Sequence, residues 1–331
     1  MKVSEMGEFG LIDYLGKMVA EAKVHRISPD EPIIGMGDDA AAWRCDSSIQ
    51  LATVDTMMEN VHFSPETTTW KELGWKSLAI NLSDIAAMGG VPKYALIALA
   101  LPADTQVEAV TRIYEGIIDL AQRSIVAIVG GNISRAPELS ITMTVLGASL
   151  DSKILRRSTA MAGDIIAVTG YPGSAGAGRE MLFNKLNFKP EAMTYLREAF
   201  LHPIPRITEG QQMVKMGINT AIDISDGILS DLRHICKASQ VSARVDIGRL
   251  PVHETVRANF QDRAEELALT GGEDYELLFT GSARAIERIK AEIRCPVTSI
   301  GKITEGEPGK INLFDAAGNP VRVNKTGWIH F

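Results

Sequence analysis

The chain is short of cysteine. Cys45, Cys236 and Cys295 are its three, an odd count with no CxxC pair. That argues against a disulfide framework and for buried or reduced thiols in a cytosolic protein. Long apolar runs are missing as well. No segment reaches the roughly 18 residues that a membrane-spanning helix needs, and the opening MKVSEMGEFG has no apolar signal core. Basic charge is in deficit, with 34 Lys and Arg against 41 Asp and Glu and a formal charge of −7. A nucleic-acid partner is a poor fit, because phosphate neutralisation needs a basic face. With six histidines, no HExxH and no Cys–His spacing, zinc has no evident ligand set. The Walker pattern GxxxxGK[ST] is absent, and so is a GxGxxG after the first strand. ATP, if used, is held by another design.

What is present is ordinary for a globular protein: 331 residues, 45% hydrophobic and 23% charged. That length suggests two domains or one large one. Apolar spacing predicts helices near 7–22, 70–88, 107–122, 174–186, 191–200, 206–216, 227–239 and 282–293. Strands are expected near 49–55, 94–101, 124–129, 139–150, 164–169, 219–224, 242–247, 275–280 and 296–301. The two types interleave, so the fold class is α/β, or α+β layers. The polar, basic stretch DSKILRRSTAMAGD marks a boundary, giving domains at 1–152 and 153–331.

Four segments interrupt an apolar element with Asp beside small residues: GMGDDAA (Asp38, Asp39), ATVDTM (Asp55), NLSDIAAMGG (Asp84) and AIDISDGILSD (Asp223, Asp226, Asp231). Taken singly, Asp38, Asp39, Asp55, Asp223 and Asp226 read as turn or cap residues. Collected in one cleft they would repel and raise one another's pKa, and a hard divalent cation such as Mg²⁺ would relieve that. Asp84 is the most telling. Its helix is otherwise apolar, and Ser77 and Asn81 share its face by spacing. The pairs Gly89-Gly90, Gly130-Gly131 and Gly271-Gly272, and the run GYPGSAGAG, read as turns whose N–H groups can approach phosphate.

GMGDDAA, VDTMMENVHF, KSLAINLSDIAAMGG, RRSTAMAGD, AIDISDGILSDL and LTGGEDYELLFT occur in that order. Together they closely resemble the thiamine-monophosphate kinases, in the superfamily that includes aminoimidazole ribonucleotide synthetase. The resemblance runs from GEFGLI at 7–12 to the final GWIHF. It implies a two-domain aminoimidazole ribonucleotide synthetase-like fold whose N-terminal domain forms a dimeric β-barrel, hence a homodimer. It also implies transfer of the ATP γ-phosphoryl group to thiamine monophosphate, assisted by several Mg²⁺. On this resemblance the metal ligands are Asp39, Thr53, Asp55, Asp84, Asp223 and Asp226, with Asp38 supporting the turn or a second metal. Gly131, Asn132, Arg157 and Ser225 match ATP contacts, and His62, Glu273 and Trp328 match substrate contacts. Many relatives carry GGD where this chain has Gly130-Gly131-Asn132, so one metal ligand becomes a neutral carbonyl oxygen.

The acceptor is a phosphate monoester, largely ionised near neutral pH because its second pKa is about 6. No general base is expected, and positioning with charge neutralisation carries the reaction. The alternatives at this point are another ATP-dependent enzyme of the superfamily with a different small-molecule substrate, a metal or nucleotide binder without turnover, and a metal-dependent phosphatase.

Overall fold

The computed structural model describes Ile33, residues 41–45 and residues 48–321. The helix expected over 7–22, the Asp38–Asp39 pair and Trp328 lie outside the described residues. In the first half, strands β1 (Ala41–Cys45), β2 (Ser48–Met58), β3 (Gly90–Leu101), β4 (Ala127–Arg135) and β5 (Ser140–Ser149) form one sheet in the order β1-β2-β5-β3-β4. All neighbours are antiparallel except β3 and β4. That parallel pair is joined by helix α2 (Val107–Ser124), as a parallel connection requires. Among the described residues the sheet is open, not a closed barrel.

Helix α1 (Trp70–Ala87) lies on this sheet, and α2 packs against α1. In α2, Ala109, Ile113, Gly116, Ile117, Leu120 and Ala121 recur at helical spacing and form its buried stripe. Helix α1 is different, being buried nearly all round. The reason is its position. One side meets β2, β3 and β5, and the other meets elements of the second half. Leu78, Leu82 and Ile85 are fully buried, each contributing roughly 1.5–3 kcal/mol.

The second half has a seven-stranded sheet of β6 (Ile165–Thr169), β7 (Thr220–Asp223), β8 (Ser242–Asp246), β9 (Leu277–Gly281), β10 (Val297–Thr304), β11 (Ile311–Phe314) and β12 (Pro320–Val321). Its order is β12-β11-β8-β10-β6-β9-β7. Strands β6, β7 and β9 are covered on both faces and are buried without polar alternation. Ile166 and Val168 enter one apolar cluster, while Ala167, with the neighbouring Leu277 and Phe279, enters another. Around it run α3 (Ser174–Phe183), α4 (Pro190–Leu201), α5 (Ile207–Lys215), α6 (Ile228–Ala238), α7 (Glu254–Phe260), α8 (Ala264–Thr270) and α9 (Ala283–Glu292).

Two expectations change. Gly130-Gly131 is no turn. Both glycines lie inside β4, which runs on through Asn132 to Arg135. Gly131 is required there by close approach, since a Cβ would meet the Ile97 carbonyl oxygen at 1.9 Å. The short helices α7 and α8 occupy a stretch for which spacing predicts no element. Among the described residues no helix is long and apolar enough to cross a membrane. Cys236 is buried and neither it nor Cys295 is in a disulfide; burial pushes both thiols up to about 12.

Candidate active site

The central carboxylates arrive on three elements. On β2, Thr53 and Asp55 share the face turned toward α1, while Val54 between them is exposed. Near the end of α1, Asp84 accepts a hydrogen bond from Thr53 Oγ1 at 2.5 Å. Asp223 ends β7, and Ser83 Oγ donates to its Oδ2 at 2.7 Å. Adjacent residues of α1 thus reach the two halves: Asp84 binds the first sheet and Ser83 the second.

After β7 the chain turns through Ile224-Ser225-Asp226-Gly227 into α6. Gly227 has φ 111°, a left-handed-side value that favours glycine. The buried Asp231 carboxylate fixes this turn, accepting from the Asp226 and Gly227 N–H groups at 3.2 and 3.1 Å. The GGEDYE segment is laced to the same turn. Glu273 N–H donates to the Ser225 carbonyl at 2.7 Å, and Tyr275 N–H to the Ile224 carbonyl at 2.9 Å.

These elements surround a cavity of about 660 Å³. Asp55, His62, Asp84, Arg157, Asp223, Ser225, Asp226 and Glu273 line it, so eight of the sequence-predicted site residues meet in one cleft. Thr53 stands behind, bonded to Asp84. His62 Nδ1 accepts the Met58 N–H at 3.0 Å, which leaves Nε2 as the protonated nitrogen. Gly131 and Asn132 do not line the cleft; they lie on the exposed edge strand β4. Asp39 and Trp328 lie outside the described residues.

The electrostatics are costly without a ligand. Burial, then the charge of Asp223, pushes the Asp55 carboxyl up to about 6. Burial, then the charges of Asp55 and Asp223, lifts Asp84 well above the usual carboxylate range. Burial raises Asp223 too, although the Ser83 hydroxyl and Arg157 oppose it. Asp231 is raised by burial and then by Asp226 and Asp223. Nearby, His234 is pushed down to about 4 by burial and by Arg157.

Such a set suits a hard divalent cation. Each donor is a carboxylate or hydroxyl oxygen, and a cation would offset the burial and the mutual repulsion that oppose their charged forms. Among the described residues no three His, Cys, Asp or Glu side chains close into a ready cage. An open set is the arrangement expected for Mg²⁺, which keeps waters and is completed by substrate phosphates.

Several cleft residues lie beyond the sequence expectation. Ser77 and Asn81 do not accompany Asp84. Ser77 Oγ donates to the Gly74 carbonyl at 3.0 Å, and Asn81 Nδ2 to the Ser77 carbonyl at 3.1 Å. The cleft face of α1 is instead Lys76, Ile80 and Asp84, an i, i+4, i+8 series that the sequence displays. The GYPGSAGAG run also differs, because its N–H groups already have an internal acceptor. Asp274 accepts from Gly173 and Ala175 N–H at 2.8 and 3.1 Å, and burial pushes its carboxyl up to about 8, so this helix start binds an internal carboxyl group rather than phosphate.

Comparison with known proteins agrees with this geometry. Residues 37–149 match the family model of the AIR synthase related protein N-terminal domain, and 162–313 that of its C-terminal domain. The thiamine-monophosphate kinase of Bacillus subtilis (strain 168) is 35% identical, covering 98% of this chain and 100% of its own. That of Escherichia coli (strain K12) is 36% identical and covers 98% of each. A solved structure, AaThiL complexed with AMPPCP and TMP, superposes with a TM-score of 0.86 at 32% identity, covering 100% of this chain and 99% of that one. Full-length likeness, both family models and the carboxylate cleft converge: this chain belongs to the thiamine-monophosphate kinase family, within the AIR synthase related proteins.

Proposed function

We propose that the cleft transfers the γ-phosphoryl group of ATP to thiamine monophosphate, giving thiamine diphosphate and ADP. The carrying observation is the meeting of Asp55, Asp84 and Asp223, from three separate elements, on one cavity of about 660 Å³. Asp55, Asp84, Asp223 and Asp226, with Thr53, would hold Mg²⁺; Asp39 joins them on the resemblance alone. Bound there, Mg²⁺ would neutralise phosphate charge and orient the oxygens. Arg157 lines the same cavity and is suited to phosphate oxygens, with Ser225 beside it. The anionic acceptor needs no base. The chain's task is to hold two anions in line and exclude water. His62 and Glu273 bound the region left for the thiamine moiety, and Trp328 is assigned to it by resemblance.

The division at 152/153 falls where Asp151 and Ser152 take positive φ between the two sheets. A homodimer belongs to the same reading. Its support is the bare outer face of the first sheet. Val54 and Leu96, both opposite Thr144, are exposed there, with Met58 and Tyr94 nearby. Two such faces packed together would close a barrel. A single chain leaves Gly131 and Asn132 outside its own cleft, so their assignment to ATP stands with the dimer.

The test is purified protein with MgATP and thiamine monophosphate, followed by product identification. Thiamine diphosphate and ADP in equal amounts are expected. Phosphate release without acceptor would replace the proposal with a phosphatase, and absence of ADP would replace it with a binding protein.

A further inference from the structure

Lys76 sits where a lysine is rarely found. It is 2% exposed, in the middle of α1, and it lines the cleft. Its Nζ makes an ion pair with Glu273 Oε2, a contact without aligned hydrogen-bond geometry. Beneath it lies the Phe200 ring, with Nζ 3.5 Å from the centroid. Burial pushes the ammonium down, and the Glu273 charge opposes that. Buried ion pairs of this kind give little net stability, so a purely structural role is a weak explanation.

The partner residue is constrained from the other side as well. Glu273 has φ 62°, and its N–H is fixed to the Ser225 carbonyl at 2.7 Å. Its side chain is 22% exposed, on the cavity wall. Lys76 holds one carboxylate oxygen of a residue that itself lines the cavity.

Position completes the argument. Lys76, Ile80 and Asp84 follow one another on the cleft face of α1, and eight residues of helix rise about 12 Å. The carboxylate end takes phosphates on the function proposed above, and this inference rests on that reading. Thiamine monophosphate has its phosphate at one end and its aminopyrimidine at the other. Lys76 stands about two helical turns from Asp84 along the cleft face of α1, so its ammonium is set apart from the Asp84 carboxylate. An acceptor oxygen there complements the 4′-amino group, an N–H donor.

We infer that Lys76 is a positioning residue for substrate selection: its ion pair aims Glu273 into the cleft, and the aimed carboxylate reads the 4′-amino group of the pyrimidine. A 4′-oxo analogue offers a carbonyl at that point and meets acceptor with acceptor. A buried polar site built for one hydrogen-bonding pattern discriminates strongly against its opposite.

The experiment is steady-state kinetics on the full chain with MgATP, comparing thiamine monophosphate with oxythiamine monophosphate, its 4′-oxo analogue. Wild type, Lys76→Met, Glu273→Gln and the double variant are measured, with AMPPCP-dependent melting as the check of folding. Wild type should favour the amino substrate. Lys76→Met should raise KM for thiamine monophosphate about tenfold or more, with KM for ATP and kcat within about threefold. The preference for amino over oxo should shrink in both single variants, and the double variant should be no worse than the worse single. Unchanged KM for thiamine monophosphate in folded Lys76→Met, equal loss against both analogues, or additive losses would overturn the inference. If Lys76→Met does not fold, Glu273→Gln decides: wild-type discrimination in that variant overturns it equally. A wild type that makes no thiamine diphosphate would overturn the proposed function instead, so the two failures are distinguishable.

Discussion

Substituting Asp84 by Asn keeps an oxygen for the Thr53 hydroxyl and removes an ionisable group whose charged form is opposed by burial, then by Asp55 and Asp223. The two consequences have opposite sign. Turnover should fall by about two orders of magnitude or more, because a cation ligand facing the phosphates is lost. Stability without metal should hold or rise, since a buried like-charge contact is relieved. Melting in EDTA is expected to give Asp84→Asn a Tm at or above that of wild type. Adding Mg²⁺ should raise the wild-type Tm more than the variant's, by linkage to binding. Near-normal activity at saturating Mg²⁺ would remove Asp84 from the ligand set.

At the scale of elements, α1 positions most of the cleft, and its start is fixed by one carboxylate. Thr69 and Glu72 form a capping box, with the Thr69 N–H donating to Glu72 Oε2 at 2.8 Å. The same carboxylate receives Arg197 Nε and Nη2 at 2.9 and 2.6 Å, tying α1 to α4. Burial raises the Glu72 carboxyl, but the bonds from Arg197 and Thr69 outweigh it and the net shift is downward. A folded-state value below the unfolded one means stability that is present above the ordinary carboxylate range and lost as pH falls through and below it. Glu72→Gln should cost about 1–3 kcal/mol at neutral pH, and the gap to wild type should close below pH about 4.5. Denaturant melts across that range measure it; a constant gap would contradict the ionic account.

This helix was also the most legible part of the sequence. A proline-free apolar run closed by Gly89-Gly90 predicts residues 70–88, and the helix spans Trp70–Ala87. Its neighbours were harder to read. Gly130-Gly131 resembles a turn because local chemistry does not show that Ile97 backbone presses on Gly131. The Gly-rich start of α3 resembles a phosphate loop because Asp274, its internal acceptor, is about a hundred residues away. Helices α7 and α8 have seven residues each, too few for a clear period. Spacing pointed to Ser77 and Asn81 rather than to Lys76, whose partner Glu273 comes from a distant turn. Local periodicity encodes elements well; contacts between segments far apart in sequence are set by packing.

For the whole molecule, the two faces of the first sheet differ. One is sealed by α1, with Leu51, Ile97, Met143 and Val145 almost fully buried. The other leaves Val54 59% and Tyr94 47% exposed, and every residue of the edge strand β4 is exposed. An apolar sheet face beside an edge that is unpaired among the described residues favours association with another chain, and a second copy offers the same face in return. Leu96 stands on this face, in register with Thr144 on β5 and Gly130 on β4. Leu96→Glu places a charge at the centre of the face without entering the core beneath. Sedimentation should show a dimer for wild type and a monomer of normal secondary structure for the variant. Activity should fall with the dimer if Gly131 and Asn132 reach nucleotide only in the assembly. A variant that stays dimeric, or a wild type that sediments as a monomer, would assign this face to another partner and leave the cleft of the single chain to act alone.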